Sequence, residues 1–133
     1  MKKIFLFILL IQAGFALNAA NPTYTISYNK GGNNTKIVKM GDQVVITAKF
    51  SEKMDVAFMP RIRLTAQTGD VIGFSPFKMT YVDSTTFTYN WTVSVGNGKL
   101  LPNITVARNL SNELITNTGS TQTTILVDTL RAP

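Results

Sequence analysis

Seven carboxylates, Asp42, Glu52, Asp55, Asp70, Asp83, Glu113 and Asp128, are the side chains of this 133-residue chain best suited to proton transfer. There is no histidine, which removes the commonest general base and the commonest transition-metal ligand together. There is no cysteine either, so thiol nucleophiles and thiolate zinc sites are excluded. No Gly-x-Ser-x-Gly elbow occurs to activate a serine. What remains is a carboxylate pair, one acid protonating a leaving group and the other acting as base or nucleophile, which also needs a deep cleft for the substrate. The seven acids fall mostly at strand ends and in loops. No catalytic residue is assigned, and the chain is expected not to be an enzyme.

Loop acids are also hard oxygen donors of the kind calcium takes, and Glu52, Asp55 and Asp128 are the three to watch. No Asp-x-Asp-x-Asp cluster supports them, and isolated loop acids are commonly solvated or paired with lysine. The expectation is therefore no metal-binding and no cofactor-binding residue, and no cofactor. Phe87, Tyr89 and Trp91 admit two readings, a platform for stacking on carbohydrate or part of a core. Their strict alternation with threonines, and the ~150–250 Å² that each aromatic side chain can bury, favour core. Asn33, Asn90, Asn103 and Asn109 stand in Asn-x-Ser/Thr triplets, which matter only in a eukaryotic host and are expected by chance in a chain this rich in Asn and Thr.

The elements that position these groups are strands, because apolar and polar residues alternate with period two and successive side chains of a strand point to opposite faces. Val44, Ile46, Ala48 and Phe50 share one face against Val45, Thr47, Lys49 and Ser51. Phe87, Tyr89, Trp91, Val93 and Val95 alternate with Thr86, Thr88, Asn90, Thr92 and Ser94. Tyr24, Ile26 and Tyr28, then Ile62, Leu64 and Ala66, then Phe77, Met79 and Tyr81 repeat the pattern. Ile104 with Val106 and Ile125 with Val127 complete about seven strands, a number and spacing that suit a two-sheet sandwich.

Turn residues separate them: Lys30-Gly31-Gly32-Asn33-Asn34, Gly41-Asp42, Thr68-Gly69-Asp70 and Gly96-Asn97-Gly98, where glycine and asparagine supply positive φ. Ser51 to Asp55 is long enough for one helical turn and is read as a loop. Repeats and low-complexity tracts are absent.

The first residues have the zones of a secretory signal: Lys2 and Lys3, then an uncharged run from Ile4 to Ala16, then small residues at Ala19 and Ala20. The apolar run is shorter than the ~20 residues that span a bilayer, and no second one follows. Residues 1–20 are read as a signal peptide cleaved after Ala20, and residues 21–133 as one secreted or cell-surface domain without a membrane span. Those 113 residues can bury roughly two thirds of their unfolded surface in one core. With no disulfide available, that core and the sheet hydrogen bonds hold the fold. Removal of Lys2 and Lys3 lowers the formal charge from +6 to +4. No run of four basic residues occurs, so no nucleic-acid partner is expected.

The order of these segments resembles the bacterial immunoglobulin-like modules of large surface and adhesion proteins. The resemblance covers Tyr24 to Pro133 and rests on four stretches. They are Gly41-Asp42 leading to Val44–Phe50 and Ser51-Glu52-Lys53-Met54; Phe87–Val93 with Gly96-Asn97-Gly98; Ile104–Ala107 running into Asn109-Leu110-Ser111-Asn112; and the closing Val127–Pro133. The resemblance implies an all-β, immunoglobulin-like sandwich of about seven antiparallel strands. It also implies a non-catalytic structural or adhesive role as a spacer or presenting domain, with a surface protein or glycan as partner. Two departures are informative. Lys53 stands where such modules commonly carry proline, and Asn109-Leu110-Ser111-Asn112-Glu113 replaces a frequent Asp-Leu-x-Gly-Asn element. An aspartate that could help bind a cation is thereby lost, and Asn112 occupies the glycine position, where a left-handed backbone is expected. A stand-alone module and a piece of a longer protein remain alternatives.

Overall fold

The computed structural model describes residues 21–129. The expected signal peptide, residues 1–20, lies outside them, as do residues 130–133.

Ten strands form two sheets of five. The first runs β2-β1-β4-β8-β7 and comprises β1 (Tyr24–Lys30), β2 (Asn33–Asn34), β4 (Gln43–Phe50), β7 (Thr80–Asp83) and β8 (Thr86–Thr92). The second runs β3-β10-β9-β5-β6, from β3 (Ile37–Val38), β5 (Arg61–Ala66), β6 (Phe74–Lys78), β9 (Asn97–Thr105) and β10 (Ile125–Asp128). The pairs are antiparallel except β3 with β10, which is parallel. An all-antiparallel set is thereby corrected.

Most residues of the stripes expected to face inward do so, but Ala66, Phe77, Tyr81 and Val95 are exposed. Ile26, Ile46 and Phe87 of the first sheet, and Ile62, Leu100 and Ile125 of the second, are almost fully buried in one core. Burying each such side chain contributes ~1.5–3 kcal/mol, and no disulfide adds to it. Lys30 and Asn33 close a two-residue hairpin across Gly31 and Gly32 (φ 59° and 86°), the doubly left-handed turn whose twist matches the flanking strands. Asn112 takes the left-handed backbone (φ 66°).

Four local readings change. The stretch Phe77–Val82 is not one strand: Lys78 pairs with Arg61 in the second sheet, whereas Thr80 pairs with Thr88 in the first. Between them Met79 is buried at the crossing, and its N–H donates to Pro60 O at 2.9 Å. The alternation of Phe77, Met79 and Tyr81 persists through the crossing, which is why sequence shows a single strand.

Gly96-Asn97-Gly98 is not simply a turn, because β9 already begins at Asn97. Gly98 is needed for a close approach: a Cβ there would collide with Thr68 O of the neighbouring loop. At the other end Val106 does not continue inward. It takes φ 52° and is exposed, a strained conformation for a β-branched residue. Finally, the helical turn of the Phe50–Pro60 stretch is a 3-10 helix at Val56–Phe58, after the Ser51–Asp55 segment, with the Asp55 side chain accepting from Ala57 N–H as its cap.

Candidate functional site

The three acids singled out for a cation do not meet. Asp55 Oδ1 is engaged in the cap at 2.9 Å from Ala57 N. Asp128 pairs with Asn97 at the start of β9, whereas Glu52 bonds to Asn109, beyond that strand's other end. Among the described residues no group of three or more His, Cys, Asp or Glu is placed to hold a metal ion.

What Glu52 does meet is Glu113, through an amide. The buried Asn109 donates Nδ2 to Glu52 Oε1 at 3.1 Å and to Glu113 Oε1 at 2.8 Å. Its Oδ1 accepts the N–H groups of Ser111 and Glu113 at 3.0 and 2.8 Å. Asn109 therefore organises the Asn109–Glu113 turn, and both carboxylates serve it. Sequence spacing hid this convergence, since Glu52 and Glu113 lie 61 positions apart in a chain numbered as in the full sequence.

The more open chemistry lies at the aromatic stripe. Phe87 and Trp91 are core, as read, but Tyr89 between them is only partly buried and stacks on Phe77 with ring centroids 5.6 Å apart and planes within 8°. Phe74 touches Phe77, Tyr89 and Trp91 at 5.6, 5.5 and 6.3 Å. These four rings wall a cleft of about 450 Å³ that opens between β6 and β8, and Phe77 is 46 % exposed at its mouth. The rest of its lining is Ile72, Gly73 and the run Asn90, Thr92 and Ser94; no carboxylate, lysine or arginine takes part. Such a surface stacks and donates neutral hydrogen bonds. The sequence named Tyr89 and Trp91 but not their partners, because Phe74 and Phe77 arrive from the other sheet.

The cleft exists because β8 outruns its neighbour. β7 pairs only with Thr86–Thr88, and the chain then crosses away at Met79. Backbone bonding on the opposite side fixes which groups are left. Thr85 O accepts from Phe50 N–H, and Val93 exchanges bonds with Gly41 and Asp42. Odd-numbered residues of β8 therefore turn toward β4, and Asn90 and Thr92 turn their N–H and C=O outward. Among the described residues neither has a backbone partner on that side.

A second, larger groove of about 650 Å³ lies on the opposite flank, beside Thr25, Ser27, Asn34, Thr35 and Lys36. No aromatic ring lines it. The strand edge beneath it is already bonded: Ile26 N–H donates to Thr121 O, Tyr24 O accepts from Thr121 N–H, and Tyr28 O accepts from Thr35 N–H. The smaller cleft is therefore the better candidate despite its size.

No protein-family model, no curated protein and no solved structure matches this chain.

Proposed function

We propose that the chain is a non-catalytic, secreted or cell-surface module with an immunoglobulin-like fold, acting by adhesion to a partner protein. An extended segment of that partner adds as a strand along the outer edge of β8, and its apolar side chain enters the aromatic cleft. Strand order supports the fold assignment. With the short β2 and β3 and the edge strand β6 set aside, the sheets read β1-β4-β8-β7 and β5-β9-β10, which parallels the ABED and CFG sheets of immunoglobulin domains. One departure is that the buried tryptophan stands on β8 and not on β5.

The observation that carries the functional reading is the outward-facing backbone at Asn90 and Thr92 beside the Phe74–Phe77–Tyr89 rings. Unpaired backbone groups at strand repeat specify an extended polypeptide, and a neighbouring pocket selects its alternate side chains. The test uses a random-peptide library selected on the protein purified after export of the full chain. Enriched peptides are expected to alternate apolar and polar residues, and to weaken by about tenfold or more on Thr92→Pro, which removes one outward N–H. Thr92 N–H does not bond β4, so the sheet keeps its ladder. Peptides indifferent to both Thr92→Pro and Phe77→Ala, or no enrichment at all, overturn this reading; binding confined to a glycan panel and lost with Phe77→Ala replaces it with ring stacking on sugar.

A further inference from the structure

Three basic residues that sequence shows as scattered, Arg61, Arg63 and Lys78, are brought together on the outer face of the second sheet. Ile62 and Leu64 of β5 are buried, so Arg61 and Arg63 point outward. Arg61 lies directly across from Lys78 on β6 and across from Thr105 on β9, and Arg63 lies across from Asn103. Adjacent strands are ~4.8 Å apart and alternate residues of one strand ~6.7 Å, so the three cations occupy one small patch. Like charges directly opposite one another destabilise a sheet, and no ion pair among the described residues offsets them on this face. The acid on the same sheet, Asp128, is at its far end opposite Asn97, and the ion pair among the described residues, Lys30 with Asp42, belongs to the other sheet.

Two polar atoms in the same patch lack partners. Arg63 Nε and Thr105 Oγ1 are buried and make no hydrogen bond among the described residues. Both are able to donate, and they sit at diagonal positions between Arg61 and Asn103. A buried donor without an acceptor costs ~1–3 kcal/mol, and a guanidinium edge beside a hydroxyl is suited to an oxyanion.

We propose that this patch, Arg61, Arg63, Lys78 and Thr105, binds the sulfate or carboxylate groups of an acidic polysaccharide. An anionic group seated between Arg61 and Arg63 relieves the Arg61–Lys78 repulsion and, once the side chains that cover them swing aside, accepts from Arg63 Nε and Thr105 Oγ1. The outward neighbours Thr65, Leu101 and Asn103 add hydroxyl, apolar and amide contacts suited to sugar, and no aromatic ring stands among them to stack a nucleic-acid base. This site is on a different face from the aromatic cleft and stands independently of it.

The test is calorimetric titration of the protein, purified after export of the full chain, with a sulfated oligosaccharide, its desulfated counterpart and a polyuronate. Binding of the sulfated or the uronate ligand, and not the desulfated one, is expected, and the stronger of the two identifies the anionic group. Arg61→Gln with Arg63→Gln should weaken it about tenfold or more, and Thr105→Val about threefold with no change of charge. Lys49→Gln, on the other sheet, should leave it within about twofold. Arg61→Gln alone should raise the melting temperature, because it removes the repulsion with Lys78, and it serves as the binding variant if the double substitution unfolds the protein. The proposal is overturned by any of four results: no binding by the folded protein, full binding by the double variant, an equal loss with Lys49→Gln, or equally tight binding of polyglutamate or single-stranded DNA.

Discussion

The two flanks of the sandwich are closed by different forces. On the β1 side the sheets are joined by hydrogen bonds. Tyr24 Oη donates to Asn117 Oδ1 at 2.6 Å and accepts from Gln122 Nε2 at 3.1 Å, and Tyr28 Oη donates to Thr123 O at 2.7 Å. The Thr121 backbone bonds directly to the edge of β1. On the β8 side the sheets meet through aromatic rings, and the outward backbone groups of Asn90 and Thr92 have no backbone partner among the described residues. Directional bonds consume the edge they join, whereas dispersion between rings closes a gap and leaves backbone donors and acceptors available. One flank is thus bonded along its edge, and the other leaves its edge open.

That contrast can be broken by measurement. Trp91→Ala should have the largest effect, about 3–5 kcal/mol in denaturant unfolding, because Trp91 is the floor of the open flank as well as core. A loss below about 1 kcal/mol would place the ring outside the load-carrying core.

Alkaline titration comes next. Burial pushes the Tyr28 phenol far above its ordinary pKa of 10, and burial likewise raises Tyr24 against the opposing hydrogen bonds from Ile104 and Gln122. The unfolded chain then releases these protons first, so the stability they contribute is complete below about pH 10 and declines above it, by at most ~1.4 kcal/mol per pH unit for each tyrosine. Equilibrium unfolding between pH 9 and 12 should show the decline, and Tyr28→Phe should flatten it. An unchanged slope would mean that the bonded flank opens before the protein unfolds.

Tyr24→Phe should cost about 1–3 kcal/mol at neutral pH, since Asn117 and Gln122 lose a shared buried partner. Phe77→Ala should cost less than about 1 kcal/mol, given a side chain 46 % exposed, yet abolish selection of cleft-binding peptides. If Phe77→Ala proves the more destabilising of the two by thermal melting, the flanks do not differ in the way described.

Much of the fold was legible in residue order. Period-two alternation identified the buried faces of β1, β4, β5, β8 and β10, and Gly31-Gly32 announced a tight reversal. Asn112 takes the left-handed backbone expected of it because it stands where the resembled modules carry glycine. The edges of elements were less legible. Met79 continues an unbroken alternation while the chain changes sheets, and Gly98 serves a neighbouring loop and not the turn that its spacing with Gly96 suggested.

The candidate sites were the least legible part. Tyr89 and Trp91 stand out in the sequence, but the cleft needs Phe74 and Phe77 from the other sheet and a β7 whose pairing with β8 reaches no further than Thr88. Arg61, Arg63, Lys78 and Thr105 span 45 positions and share a face only through the register of β6, β5 and β9. Glu52 and Glu113 likewise meet only at Asn109. By itself the sequence determined which side of each strand is apolar, because that depends on local alternation and the hydrophobic effect. Which strand lies beside which, where an edge is left unpaired and which charges are crowded together were decided by tertiary structure, because pairing and register join residues whose separation along the chain leaves no local trace.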